Sequence, residues 1–131
     1  MLSKTKAIVP ENLLFLAQKT SNIPVAIICP HNSSSMESAK QASDLKLIDP
    51  TFIGKKELIQ KEADKLNWDI NKYIIINHNN DQDAASVGAS LARDNKIKVM
   101  IKGSLHTDIL MKVYLKKEFE LIEGKRLSHI W

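Results

Sequence analysis

The residue types suited to holding an anion stand together in one run, Lys102-Gly103-Ser104-Leu105-His106-Thr107. Lys102 closes a short apolar segment, Gly103 permits close backbone approach, and Ser104, His106 and Thr107 place donors where a helix begins. Phosphate binding needs these groups. A strand-end lysine followed by ordinary helix capping leaves the same residues, so spacing alone keeps both readings open. Two other loops have related composition. Cys29-Pro30-His31-Asn32-Ser33-Ser34-Ser35 sets hydroxyls at a helix start; capping and a solvated turn explain it first, and ligand contact through Ser33 and Ser34 second. Asn77-His78-Asn79-Asn80-Asp81 is explained by turn chemistry with Asp81 as N-cap, which leaves His78 as a secondary candidate.

Other chemistries lack their residues. The four glycines, Gly54, Gly88, Gly103 and Gly124, cannot spell a dinucleotide fingerprint or a P-loop. His31, His78, His106 and His129 are isolated from one another and from cysteine, so no metal site is expected. Cys29 is the single cysteine; it follows an apolar strand, and its expected role is a buried structural thiol in a reducing compartment. Apolar runs fall short of the roughly 18–20 residues of a membrane span. Pro10, Glu11 and Gln18 interrupt the only early one, so the expected location is the cytoplasm, with no membrane partner. The formal charge of +4 is mild, and with aromatics at 5% the lysines lack the interleaving of a nucleic-acid surface. No nucleic-acid partner is expected.

A chain of 131 residues with 44% hydrophobic residues makes one domain with a real core. A short helix opening at Pro10 and carrying Leu13, Leu14, Leu16 and Ala17 comes first. A beat of apolar run, polar turn and helical segment then repeats four times. The strands are 24–29, 51–53, 73–76 and 98–102, with 73–76 the strongest by β-propensity. The helices after them bury Met36, Ala39 and Ala42; Ile59, Ala63 and Leu66, with Asn67 as the stop; Ala84, Val87, Gly88, Leu91 and Ala92, ending near Asn95; and Leu110, Val113 and Tyr114. Gly88 on its stripe implies close packing. The alternation implies an α/β fold, a three-layer, doubly wound, mostly parallel sheet with helices on both faces. Gly124-Lys125-Arg126 forms a turn into a further strand, 127–131, which stops at Ile130-Trp131 as if cut.

The runs "MIKGSLHTDILM" and "LIEGKRLSHIW", with "PVAIICPHNSSSMESA" and "LKLIDPTFIG" upstream, resemble the phosphate acetyltransferase and phosphate butyryltransferase family. The likeness is strongest to the acetyltransferase portion of bifunctional enoyl-CoA hydratase/phosphate acetyltransferases, and it runs from about Pro24 onward. It implies the first domain of a two-domain, isocitrate dehydrogenase-like fold, with residues 1–22 as helix and lead-in and 23–131 as a truncated N-terminal acyltransferase domain. The implied reaction is reversible acyl transfer between coenzyme A and phosphate, with those molecules and the acyl phosphate as substrates and no covalently bound cofactor.

By the family pattern Lys102, Gly103, His106 and Thr107, with Ser104 beside them, line the phosphate side of an inter-domain cleft. Arg126, Ser128 and His129 join them as cation and donors. Family chains continue past the "SH" strand into a second domain that carries much of the coenzyme A site, so a chain ending here is expected to be incomplete for catalysis alone. The alternative is a non-catalytic binding or interaction domain that associates with itself or with a complementary second-half chain.

Overall fold

A computed structural model describes residues 8–124. A lone helix α1 (Glu11–Gln18) leads into four strands, β1 (Ile23–Ile28), β2 (Ile48–Gly54), β3 (Ile74–Asn77) and β4 (Val99–Lys102). They form one parallel sheet in the order β3-β2-β1-β4. Helices α2 (Ser33–Asp44) and α3 (Lys56–Lys65) pack on one face; α4 (Asp81–Arg93) and α5 (Thr107–Tyr114) pack on the other. The expected doubly wound, three-layer α/β arrangement is what forms. The strand expected over 127–131 lies outside the described residues.

The centre of the sheet falls to the strand with no polar face. Val25 and Ile27 enter the core under α2 and α3, while Ala26 and Ile28 enter the core under α4 and α5, and all four are almost fully buried. The strand with the strongest β-propensity, β3, lies at an edge instead, with Ile74 exposed. Among the described strands β4 forms the opposite edge, and Lys102 closes it. On the α2/α3 side Phe52, Trp68 and Tyr73 meet edge to face, with centroids 5.6–5.9 Å apart. On the other side Gly88 packs against Ile28, whose Cδ1 lies 2.8 Å from where a Cβ would stand.

β2 is longer than the sequence pattern suggests because Pro50 fits inside it. The bonds Ile23 N–H to Leu47 O and Cys29 N–H to Ile53 O set the odd-numbered residues of β2 toward β1. The donor Pro50 lacks is therefore on the β3 side, where pairing starts only at Thr51. Two cap assignments change. Asn80, not Asp81, caps α4, its Oδ1 accepting from Gln82 N–H and Asp83 N–H. Pro10 is the N-cap of α1 rather than its first helical residue.

Three helices end on a left-handed residue other than glycine. α2, α3 and α4 are each followed by a left-handed residue, Lys46 (φ 58°), Asn67 (φ 47°) and Asn95 (φ 56°). In each, the next N–H reaches back five residues, Leu47 to Ala42, Trp68 to Ala63 and Lys96 to Leu91, which satisfies end carbonyls and turns the chain toward a strand or a core contact. Asparagine tolerates this conformation better than lysine does. Replacing Lys46 with glycine removes the Cβ penalty at some cost in unfolded-state entropy. K46G should raise stability by about 0.5–1 kcal/mol, read as a higher urea midpoint with unchanged m.

Candidate functional site

From β1 the chain leaves toward one face of the sheet, and from β4 toward the other, so the strand order reverses between their carboxyl ends. That crevice is the ligand position of open α/β sheets. It is walled by the loops after β1 and β4. Gly103 N–H donates to Ile28 O (2.8 Å) and Ser104 N–H to Cys29 O (2.7 Å), which extends the ladder past the strand ends. A Cβ on Gly103 would stand 2.3 Å from the Cys29 carbonyl oxygen. The glycine therefore serves the approach of one loop to the other, and its N–H is already committed.

Lys102 is folded into its own loop. Its Nζ donates to Leu105 O (2.9 Å) and more weakly to Gly103 O (3.3 Å), so the ammonium braces the turn and brings its charge to it. Asn32 crosses the crevice: its Oδ1 accepts from Ser35 N–H (2.8 Å) at the start of α2, and its Nδ2 donates to Ser104 Oγ (2.8 Å). An opening of about 510 Å³ lies alongside, lined by Ile27, Asn32, Ser34, Ser38, Ile101 and Lys102 among others. Its floor is apolar and its rim carries hydroxyls.

The four helix N-termini at this edge of the sheet are not alike. α2 is capped by Asn32 and α4 by Asn80. At α3, Lys55 N–H donates to His31 Nε2 (3.0 Å) and Lys56 N–H to Asn77 Oδ1 (2.9 Å). At α5 the N-cap residue, His106, makes no side-chain cap bond. Its first turn carries Asp108, paired with Lys112 at 3.2 Å, and it starts beside Ser104, His106 and Thr107, all exposed.

The other residues singled out in the sequence fall into two groups. Ser34 joins the rim of the opening. Ser33 does not: its Oγ donates to Glu62 Oε2 (3.0 Å), and Glu62 is paired with Lys65 at 2.6 Å. His78 is placed beyond the far edge of the sheet, its N–H on Gly54 O, three strand spacings or roughly 14 Å across the sheet from the β4 loop. Arg126, Ser128 and His129 lie outside the described residues. In the sequence His31 and Asn32 are a loop histidine and a turn asparagine, types common in any chain; the one signal for Asn32 is its place just before Ser33-Ser34-Ser35.

Cys29 is buried, as expected of a structural thiol, and takes left-handed backbone angles (φ 52°). Its Sγ donates to Asp81 Oδ1 at 3.6 Å. Burial first, then the Asp81 charge and this bond, push the thiol up to about 12, so it stays protonated and unreactive near neutrality. His31 is pulled below its ordinary 6.5, by burial first; the Asp81 charge opposes the shift and the Lys55 charge adds to it. The accepting Nε2 requires a neutral ring with its proton on Nδ1.

No model of a known protein family matches the sequence. A phosphate acetyltransferase of Rickettsia typhi is 32% identical over 118 residues, 90% of this chain and 34% of that protein. A phosphate butyryltransferase of Clostridium acetobutylicum is 27% identical over 106 residues, 81% of this chain and 35% of that protein. The chain is similar to part of each of these phosphate acyltransferases. It spans about a third of the length of these two proteins, which fits their N-terminal part. The solved structure of a phosphotransacetylase from Streptococcus pyogenes shares the fold, with a TM-score of 0.64 at 18% identity over 82% of this chain and 42% of that one.

Two outcomes follow for this edge of a phosphate acyltransferase-like domain. G103A must separate the β1 and β4 loops, because the colliding atoms are backbone; a loss of about 1–3 kcal/mol is expected in denaturant unfolding. For His31, the unfolded ring binds its proton near 6.5 and the folded ring only at lower pH. In that interval the unfolded state holds more protons, so stability is complete above pH 6.5 and falls as pH drops through the folded value. H31Q, whose amide oxygen can still accept from Lys55 N–H, should flatten the midpoint-versus-pH curve between the carboxylate range and pH 6.5.

Proposed function

We propose that this chain is the first-domain portion of a phosphate acetyl- or butyryltransferase, with residues 1–22 as lead-in and 23–131 as the domain, working in the cytoplasm. The reaction is acyl-CoA + phosphate = acyl phosphate + CoA. In the direction of acyl phosphate consumption, the coenzyme A thiolate attacks the carbonyl carbon, a carbon–sulfur bond forms, and phosphate departs with the electrons of the carbon–oxygen bond. The thiol proton goes to a base for which the described residues offer no nominee. Donors must hold the carbonyl oxyanion and cations the leaving phosphate.

One observation carries the phosphate half of this reading. The N-cap residue of α5 makes no side-chain cap bond, the first-turn Asp108 is paired with Lys112, and the helix opens at the strand-order reversal, beside the Lys102 charge and the exposed groups of Ser104, His106 and Thr107. Gly103 shapes the loop. Arg126, Ser128 and His129 complete the anion side in this reading, from the family pattern alone. With only about a third of the relatives' length present, coenzyme A contacts and turnover call for further protein, in the same chain or as a complementary one. A second reading, a binding or interaction domain, is favoured by α1, where Leu13, Phe15 and Leu16 are all more than half exposed.

Calorimetry with inorganic phosphate and with coenzyme A, beside an assay for coenzyme A-dependent phosphate release from acetyl and butyryl phosphate, tests these readings. The expected result is phosphate binding with little turnover. K102A should weaken phosphate by about tenfold or more while leaving the circular dichroism spectrum unchanged. Wild-type protein that ignores phosphate would remove the acyltransferase half-site and leave the interaction domain.

A further inference from the structure

Asn32 spans the crevice with both ends of its amide engaged. Oδ1 takes the Ser35 N–H at 2.8 Å, a bond only the oxygen can make, so the nitrogen must face Ser104 Oγ, also at 2.8 Å. A hydroxyl that accepts a bond from Nδ2 keeps its own proton for another acceptor. Ser104 cannot be reoriented by its backbone, because its N–H is held by Cys29 O and the preceding Gly103 N–H by Ile28 O. Lys102 closes the same loop from the other side through Leu105 O and Gly103 O. The loop is thus rigid, and its one serine hydroxyl is polarised to donate.

From this geometry we infer that Asn32 is a positioning residue for the anion site: it makes Ser104 a dedicated donor to a phosphate oxygen, and it does so from the loop on the other side of the crevice. The inference rests on the phosphate site proposed above. It assigns Asn32 two separable tasks, capping α2 and directing Ser104. The ligand class it favours is an oxygen without a proton, as in an ionised phosphate or the phosphoryl group of an acyl phosphate. A neutral alcohol or amide group has less to gain from a one-way donor.

The two tasks come apart by substitution. Serine is a good N-cap but too short to reach Ser104, so N32S keeps the helix start and loses the bridge. The experiment is calorimetric titration of the 131-residue protein and of N32S, S104A and the double variant with inorganic phosphate, with thermal melts of each. Expected are a loss of about tenfold in phosphate affinity for N32S and for S104A, no further loss in the double variant, and melting temperatures of N32S near wild type. N32S binding as tightly as wild type would overturn the inference, and so would an added loss from N32S in the S104A background, which would show Asn32 acting independently of Ser104. Wild-type protein that binds no phosphate would overturn the site itself, an outcome visible before any variant is made.

Discussion

Strand β1 has no face that water can share, and the rest of the molecule is arranged around that demand. Four consecutive residues, Val25 to Ile28, alternate between two cores and are nearly fully buried in both. An apolar segment of this kind must lie inside a sheet covered on both sides. A strand pairs on each of its edges, so β2 and β4 flank it, and the helices that join successive parallel strands divide between the two faces. The reversal of strand order beside β1 follows from this, and so does the crevice at its carboxyl end.

At that crevice the polar groups are spent unevenly. The first turns of α2, α3 and α4 are met by Asn32, by His31 with Asn77, and by Asn80, so three of four helix starts at this edge are internally satisfied. The ties also join loops to one another: His31 connects the β1 loop to the β2 loop, Asn77 connects β3 to α3, and Asn32 connects β1 to β4. The result is a continuous rim in which α5 is the opening left toward solvent. Cys29, which sits at the middle of this rim, is silenced by burial and by Asp81, and its place there reflects packing rather than chemistry.

The partial match to phosphate acyltransferases and the geometry bear on different questions. The names of these relatives refer to a reaction of proteins about two and a half times as long. The described residues show a domain in which the loops after β1 and β4 are hydrogen-bonded to each other, with an apolar-floored opening next to them. Among the described residues, the exposed apolar side chains of α1 and the sheet edges at β3 and β4 are surfaces that further protein has room to cover.

Much of this was legible along the chain. Hydrophobic period located the four strands and five α-helices of the described residues, though not the short 3-10 turn at Lys117–Phe119, since burial imposes period 2, period 3.6 or a continuous run according to the element. The helix stops at Asn67 and Asn95 could be read from a residue type that tolerates left-handed angles, whereas Lys46, with the same geometry, could not. The run from Lys102 to Thr107 was visible as a cluster of anion-holding groups. What each group does was not. Gly103 permits close backbone approach, and the backbone it approaches is Cys29 of the β1 loop; Ser33 Oγ donates to Glu62; His78 stands at the far edge of the described sheet. Period and composition act between neighbours in sequence, so the sequence by itself determined the elements, their buried faces and the fold class. Which strand is central, which N–H groups are consumed and which asparagine crosses the crevice depend on contacts between residues up to 72 positions apart. Only the folded chain decided those, because a hydrogen bond at 2.8 Å is set by the packing of the elements that carry its ends.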